Sequence, residues 1–147
     1  MTDLTARPLP LGQVGGLKLR YGENGYQGAD LFSEFSGDSL ALDKFVLEEG
    51  ELPSLVNLTD LDRGIRTITH IAAALEKNGE YANKIAIALK HGNCCGASYG
   101  VTPAAALCKM IEGDLQAIMG GVIVVNFKLE DDDAVPLLSP RCHPRSA

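Results

Sequence analysis

The chain is predicted to fold as an α/β protein, and three features of its sequence carry that prediction. Residues 60–78 place apolar side chains at helical spacing. Residues 85–89, Ile85-Ala86-Ile87-Ala88-Leu89, form an unbroken apolar run between Lys84 and Lys90, the pattern of a strand buried on both faces. A capped helix from Thr102 and a second apolar run at residues 121–126 follow. In chain order these read strand, loop, helix, strand. That order predicts a β-α-β unit whose two strands run parallel, joined by a right-handed crossover.

Residues 1–16 are rich in Pro, Gly and polar groups and read as a flexible lead-in. Residues 17–21 alternate apolar and polar side chains, as a half-buried strand does, and Gly22-Glu23-Asn24-Gly25 breaks the run with turn residues. Residues 29–35 and 42–47 read as two further strands, the second ended by Glu48-Glu49-Gly50. The long helix is expected to start at Thr59 or Asp60, whose side-chain oxygens accept otherwise unpaired N–H groups. Leu61, Ile65, Ile68, Ala72 and Leu75 form its apolar stripe, and Gly79 closes it. Gly64 inside that helix costs about 1 kcal/mol relative to Ala. Residues 91–100 are rich in Gly and Cys and read as a loop. The next helix has Pro103 at its first position, where no N–H is needed, and runs to about Glu112. From Glu130 the chain turns acidic and then Pro-rich. Three segments result: the lead-in at 1–16, a folded lobe at 17–128, and a tail at 129–147 that is expected to be poorly ordered.

At 147 residues the chain has the length of one domain, and 46% apolar residues exclude a disordered protein. No apolar run approaches the ~20 residues that span a bilayer, and the first ten residues have no apolar core of a signal peptide. A net charge of −6 argues against nucleic acid as partner. A small anionic ligand needs only a few local cations. The cysteines, Cys94, Cys95, Cys108 and Cys142, show neither a disulfide framework nor a C-x-x-C pair, so reduced thiols and a cytoplasmic location are expected.

Chemistry is expected at two places. Lys90 and His91 end the 85–89 strand, where open α/β sheets bind ligands. A histidine there trades protons near neutral pH, and an adjacent lysine supplies a cation for a phosphate or a developing oxyanion. Gly92-Asn93-Cys94-Cys95-Gly96 then lets the backbone approach a ligand. The same two side chains also suit a buried strand that simply ends in solvated groups. The second place is Arg20-Tyr21-Gly22-Glu23-Asn24, where an arginine at a glycine turn suits a phosphate or carboxylate, or an ordinary hairpin end. Asn57, ahead of the long helix, either serves a local turn or faces a ligand. Gly120-Gly121 reads first as close backbone packing. Asp114 reads as a solvated loop residue, and His70, within the helix, as a structural or solvated one.

Metal and thiol chemistry are less favoured by the spacing. A zinc deaminase needs H-x-E and P-C-x-x-C, but His91 is followed by Gly92 and Asn93, and Cys94 and Cys95 are adjacent. Cys142-His143 has no evident partners, so no metal is expected. Cys94 or Cys95 beside Lys90 and His91 is a candidate nucleophile, against the simpler reading of small residues filling a tight loop.

Four blocks, in order, resemble the AICAR transformylase domain of the bifunctional enzyme that pairs this transformylase with IMP cyclohydrolase. Leu19-Arg20-Tyr21-Gly22-Glu23-Asn24-Gly25-Tyr26-Gln27 resembles the family's L-R-Y-G-x-N-P-H-Q. Asn57-Leu58-Thr59-Asp60-Leu61-Asp62 is similar to N-x-x-D-L-D. Lys90-His91-Gly92-Asn93-Cys94-Cys95-Gly96 is similar to K-H-x-N-P-C-G. Residues 114–126, with Gly120, Gly121 and Asn126, are similar to D-P-x-S-A-F-G-G-I-I-A-x-N.

The resemblance covers about residues 17–128. It implies a cytidine-deaminase-like three-layer lobe with a mixed sheet flanked by helices. It implies transfer of a formyl group from 10-formyltetrahydrofolate to the 5-amino group of the aminoimidazole carboxamide ribonucleotide, AICAR. By the family pattern Lys90 and His91 are catalytic, and Arg20, Tyr21, Asn57 and Gly120 bind the nucleotide. A homodimer is implied, because the family builds its site between subunits. The departures are Gly25-Tyr26 for Pro-His, Cys94 for Pro, and Ala117-Ile118-Met119 for Ser-Ala-Phe. The family's second lobe and its cyclohydrolase domain have no counterpart here. The alternative is therefore a non-catalytic lobe that binds a purine nucleotide and needs a partner chain.

Overall fold

The computed structural model describes residues 16–32, 38–81 and 83–138. The chain divides into two units, residues 1–58 and 59–147.

In the first unit β1 (Gly16–Lys18) pairs antiparallel with β2 (Asp30–Phe32). The chain between them is pinned by its own backbone: Gly22 N–H donates to Gln27 O at 2.8 Å and Leu19 N–H to Ala29 O at 2.9 Å. The strand expected over residues 17–21 is thus short, because from Leu19 onward the backbone bonds to this turn and to Pro53. Of the strand expected at 29–35, residues 33–35 lie outside the described residues. The strand expected at 42–47 is a single turn of 3-10 helix, Leu42–Lys44, followed by extended chain. Asp38 starts that region as an Asx turn, its Oδ1 accepting the Leu40 N–H at 2.9 Å.

Helix α1 (Leu55–Lys77) starts five residues earlier than Thr59–Asp60 capping predicts. Its cap is a reciprocal pair. Asn57 N–H donates to Ser54 Oγ at 3.3 Å, and Ser54 N–H donates to Asn57 Oδ1 at 3.1 Å. This is a capping box with Asn in place of the usual Glu or Gln, which is why the sequence pattern passes unnoticed. The far end behaves as expected: Gly79 has φ +80°, and Glu80 N–H reaches back to Leu75 O at 3.0 Å, a Schellman closure.

In the second unit β3 (Lys84–Lys90) lies between β4 (Asn93–Gly100) and β5 (Val122–Val125). Both neighbours pair with it antiparallel. This corrects two expectations. The 91–100 loop is mostly strand β4, and the sheet, wholly antiparallel among the described residues, is neither mixed nor built on a parallel β3–β5 pair. Expected crossover connectivity survives in another form: β4 and β5 run the same way, joined through α2 (Pro103–Gly113) and α3 (Leu115–Ile118), with β3 between them. Strand β4 escapes sequence reading because it is made of small residues. The fold demands them. A Cβ on Gly96 would come within 3.0 Å of Ile118, and one on Gly100 within 3.0 Å of the Ala106 backbone.

The unit has three layers. Ile85, Ile87 and Leu89 face α1 through Ile68, Ile71, Ala72 and Leu75. Ala86 and Ala88 face the other side, against Ala106, Leu107, Met110, Ile111 and Ile118. The cost of Gly64 in α1 is explained here, since a Cβ would come within 2.6 Å of Val124 and 2.9 Å of Leu89. Helix and sheet meet at that glycine. Thr102 caps α2 as expected, accepting the Ala105 N–H.

The acidic segment expected to be a loose tail contains α4 (Asp131–Leu138). Asp131, Asp132 and Asp133 sit in its first turn, where negative charge is favoured, and Leu137 packs on the core. Residues 139–147 lie outside the described residues, as do Cys142, His143 and most of the lead-in. Among the described residues no helix is long and apolar enough to cross a membrane.

Candidate functional site

Three of the six nominated residues form one hydrogen-bonded patch in the first unit. Arg20 Nη2 donates to the Tyr21 hydroxyl at 3.1 Å, and its guanidinium carbon lies 4.9 Å from the centre of the same ring. The Tyr21 hydroxyl is also hydrogen-bonded with Ser54. Ser54 in turn donates to Asn57 Oδ1 at 2.8 Å. The backbone fastens this patch to the start of α1: Arg20 N–H donates to Pro53 O, and Leu55 N–H to Tyr21 O at 2.9 Å. Asn57 thus does serve a local turn through its carbonyl oxygen, while its Nδ2 donates to no other described residue. Arg20 also pairs with Glu51, and both side chains are well exposed.

The bond from Arg20, and then that with Ser54, lowers the Tyr21 phenol from its ordinary value by favouring the phenolate. Arg20→Ala removes the larger cause. The Tyr21 titration, followed by ring NMR shifts, is expected to move up toward the ordinary tyrosine value in that variant. An unchanged titration would reject the bond.

The other three nominated residues gather in the second unit. Lys90 and His91 occupy the tip of the β3–β4 hairpin, where Lys90 pairs with Asn93 across a two-residue turn. Both turn residues have positive φ, 52° at His91 and 78° at Gly92, the signature of a type I′ turn. His91 is exposed at that tip. Lys90 Nζ donates to Met119 O at 2.9 Å, so the ammonium is fixed beside the turn that holds Gly120, itself at φ +76°. Gly121 shows the close packing expected of it. A Cβ there would stand 2.5 Å from Leu89 O.

Because β3 is flanked by antiparallel strands, the rule for parallel sheets does not explain this location. What places Lys90 beside the turn that holds Gly120 is the pairing of Leu89 with Val122 at the end of β3 and start of β5. An apolar cavity of about 330 Å³ adjoins this corner, lined by Ile118, Met119, Gly120, Gly121 and Ile123 among others.

The remaining candidates resolve simply. Asp114 caps α3, accepting from Gln116 N–H and Ala117 N–H. His70 is exposed on α1. Burial pushes the Cys94 thiol up, away from the thiolate, against a smaller opposing effect of a backbone hydrogen bond from Gly96. That is the wrong direction for a nucleophile. Cys95 sits at a β-bulge and packs on the core. Among the described residues no three His, Cys, Asp or Glu side chains converge to hold a metal ion. Sequence reading overlooked Ser54, which joins Tyr21 to Asn57, and the main chain of Met119. Only the first left a signal, a serine three residues ahead of Asn57.

Residues 8–139 match the family model described as the AICARFT/IMPCHase bienzyme. The chain belongs to this family. Among its AICARFT/IMPCHase relatives is the bifunctional purine biosynthesis protein PurH of Prochlorococcus marinus strain NATL2A, 30% identical over 123 residues. That alignment covers 84% of this chain and 22% of the relative. The PurH of Rhodopirellula baltica is 36% identical with the same coverage. The PurH of Clostridium perfringens strain SM101 is 32% identical over 114 residues, covering 76% of this chain and 20% of the relative. This AICARFT/IMPCHase chain therefore spans about a fifth of the length of the curated relatives it matches.

Proposed function

We propose that the chain acts in purine biosynthesis as an AICAR formyltransferase-like protein, moving a formyl group from 10-formyltetrahydrofolate to the 5-amino group of AICAR. The observation that carries this reading is the gathering of all six motif residues into two clusters, one in each unit. Arg20, Tyr21 and Asn57 are the nucleotide-binding cluster. The guanidinium supplies a bidentate fork for phosphate, and the exposed Asn57 amide a neutral donor. Lys90, His91 and Gly120 are the transfer cluster. 10-Formyltetrahydrofolate, when bound, supplies the formyl group. His91 takes the proton of the attacking amine and returns one to the folate nitrogen. Lys90, held on Met119 O, steadies the charge that develops. The α/β/α layering of the second unit fits the cytidine-deaminase-like lobe of this family. A homodimer in the cytoplasm completes the reading.

Calorimetric titration with AICAR, with and without a folate analogue, tests it. Saturable binding is expected, and Arg20→Ala should weaken it roughly 10-fold or more. Glu51 competes with the phosphate for Arg20. Glu51→Gln is therefore expected to tighten binding about 2- to 5-fold, the scale of an exposed ion pair. No binding at millimolar AICAR would reject the reading. Binding without turnover would favour the second one, a nucleotide-binding lobe that needs a partner chain.

A further inference from the structure

We propose that Asp60 is a positioning residue for His91, acting through the amide of Gly92. Its functional side rests on the reading of His91 as the proton carrier. Asp60 lies within α1, too far along to cap it, and is 4% exposed. A buried carboxylate is costly unless it is hydrogen-bonded. Its Oδ1 accepts the Gly92 N–H at 2.6 Å, a bond between residues 32 apart in sequence. The short distance is that of a charge-assisted bond.

What this bond restrains is unusual. Among the described residues His91 alone combines a side chain with positive φ. Left-handed backbone is unfavourable for a residue with a Cβ, and it persists where the surroundings over-determine it. Gly92 meets the same restraint from another side, because a Cβ there would stand 3.2 Å from Arg63 Nε. Asn93 Nδ2 closes the turn on His91 O at 3.2 Å. The helix thus reaches up to the hairpin tip with one carboxylate and fixes the peptide that follows His91. The direction of the imidazole is set by that peptide.

Asp60→Ala and Asp60→Asn in the 147-residue chain test this, read by NMR at two positions. Amide exchange at Gly92 is expected to accelerate roughly 10-fold or more in Asp60→Ala, the loss of a bond to a charged group, and less in Asp60→Asn, which keeps an acceptor. The HN–Hα coupling of His91 is expected to leave its left-handed value in Asp60→Ala and to recover in Asp60→Asn. A carboxylate that merely adds stability would lower Tm and leave both readouts at their wild-type values, which would overturn the proposal. If Asp60→Ala does not fold, faster exchange at Gly92 in Asp60→Asn supports the bond and wild-type exchange there overturns it. In formyl transfer, kcat should fall in Asp60→Ala with KM within about twofold, and should recover in Asp60→Asn together with the His91 coupling, since the interaction lost acts on the transition state. An unchanged kcat beside a loosened Gly92 overturns the positioning role. A wild-type chain without turnover fails the formyl-transfer reading instead, and the two NMR readouts still decide the Asp60 bond.

Discussion

His91→Asn is expected to make the chain more stable and at least ~100-fold slower at formyl transfer, the usual scale for losing a general acid–base. The stability gain follows from the turn. A type I′ hairpin turn places both residues at positive φ, and Asn-Gly is the pair that adopts this most readily. Histidine at φ 52° gives up part of that preference. Asparagine returns up to about 1 kcal/mol. The exposed tip offers histidine no compensating burial. A residue that costs stability where it stands and is exposed there is the pattern expected when chemistry selects it. His91→Ala separates the two effects: it also loses the proton carrier, but keeps a Cβ at positive φ and gains nothing from the turn. Thermal melts and kcat/KM on the three proteins decide the matter. Equal rates in wild type and His91→Asn would remove His91 from the reaction.

The same hairpin shows where sequence reading succeeds and where it stops. The run at residues 85–89 is apolar because both of its faces are covered, and that is visible in composition alone. Strand β4 has the same burial problem with the opposite solution. Helices α2 and α3 come so close to it that Gly96 and Gly100 are the residues that fit. A strand chosen for smallness looks like a loop, so the direction of β4, and with it the antiparallel sheet, was not legible. The start of α1 was hidden for a related reason, its cap using Asn57 where glutamate is the familiar partner. The candidate residues were nominated from motifs that lie in short stretches, but what joins them was not legible. Asp60 and the Met119 carbonyl act through hydrogen bonds between residues 32 and 29 apart, which spacing does not reveal, and Ser54 reaches Asn57 over three residues without the familiar glutamate.

Gly121→Ala is expected to cost about 2–3 kcal/mol, at the upper end of overpacking, and to lower Tm by about 5–10 °C. The added Cβ would stand 2.5 Å from Leu89 O and 3.1 Å from Ile118 O. Both obstacles are backbone, so no side-chain rotation relieves them. Relief requires β5 to move off β3 where Leu89 pairs with Val122, or the turn closed by Gly121 N–H on Ile118 O to open. Either movement carries Met119 away and with it the carbonyl that holds Lys90 Nζ. Transfer should therefore fall along with stability. Gly120→Ala is the control, because that position has positive φ but open space around it. Strain alone should cost it about 1 kcal/mol. If Gly121→Ala instead melts like wild type, β3 and the α3–β5 turn do not approach as closely as described, and Lys90 is not held beside Gly120 by this route. A melt lowered well beyond that of Gly120→Ala ties the close approach at Gly121 to the placement of the cation.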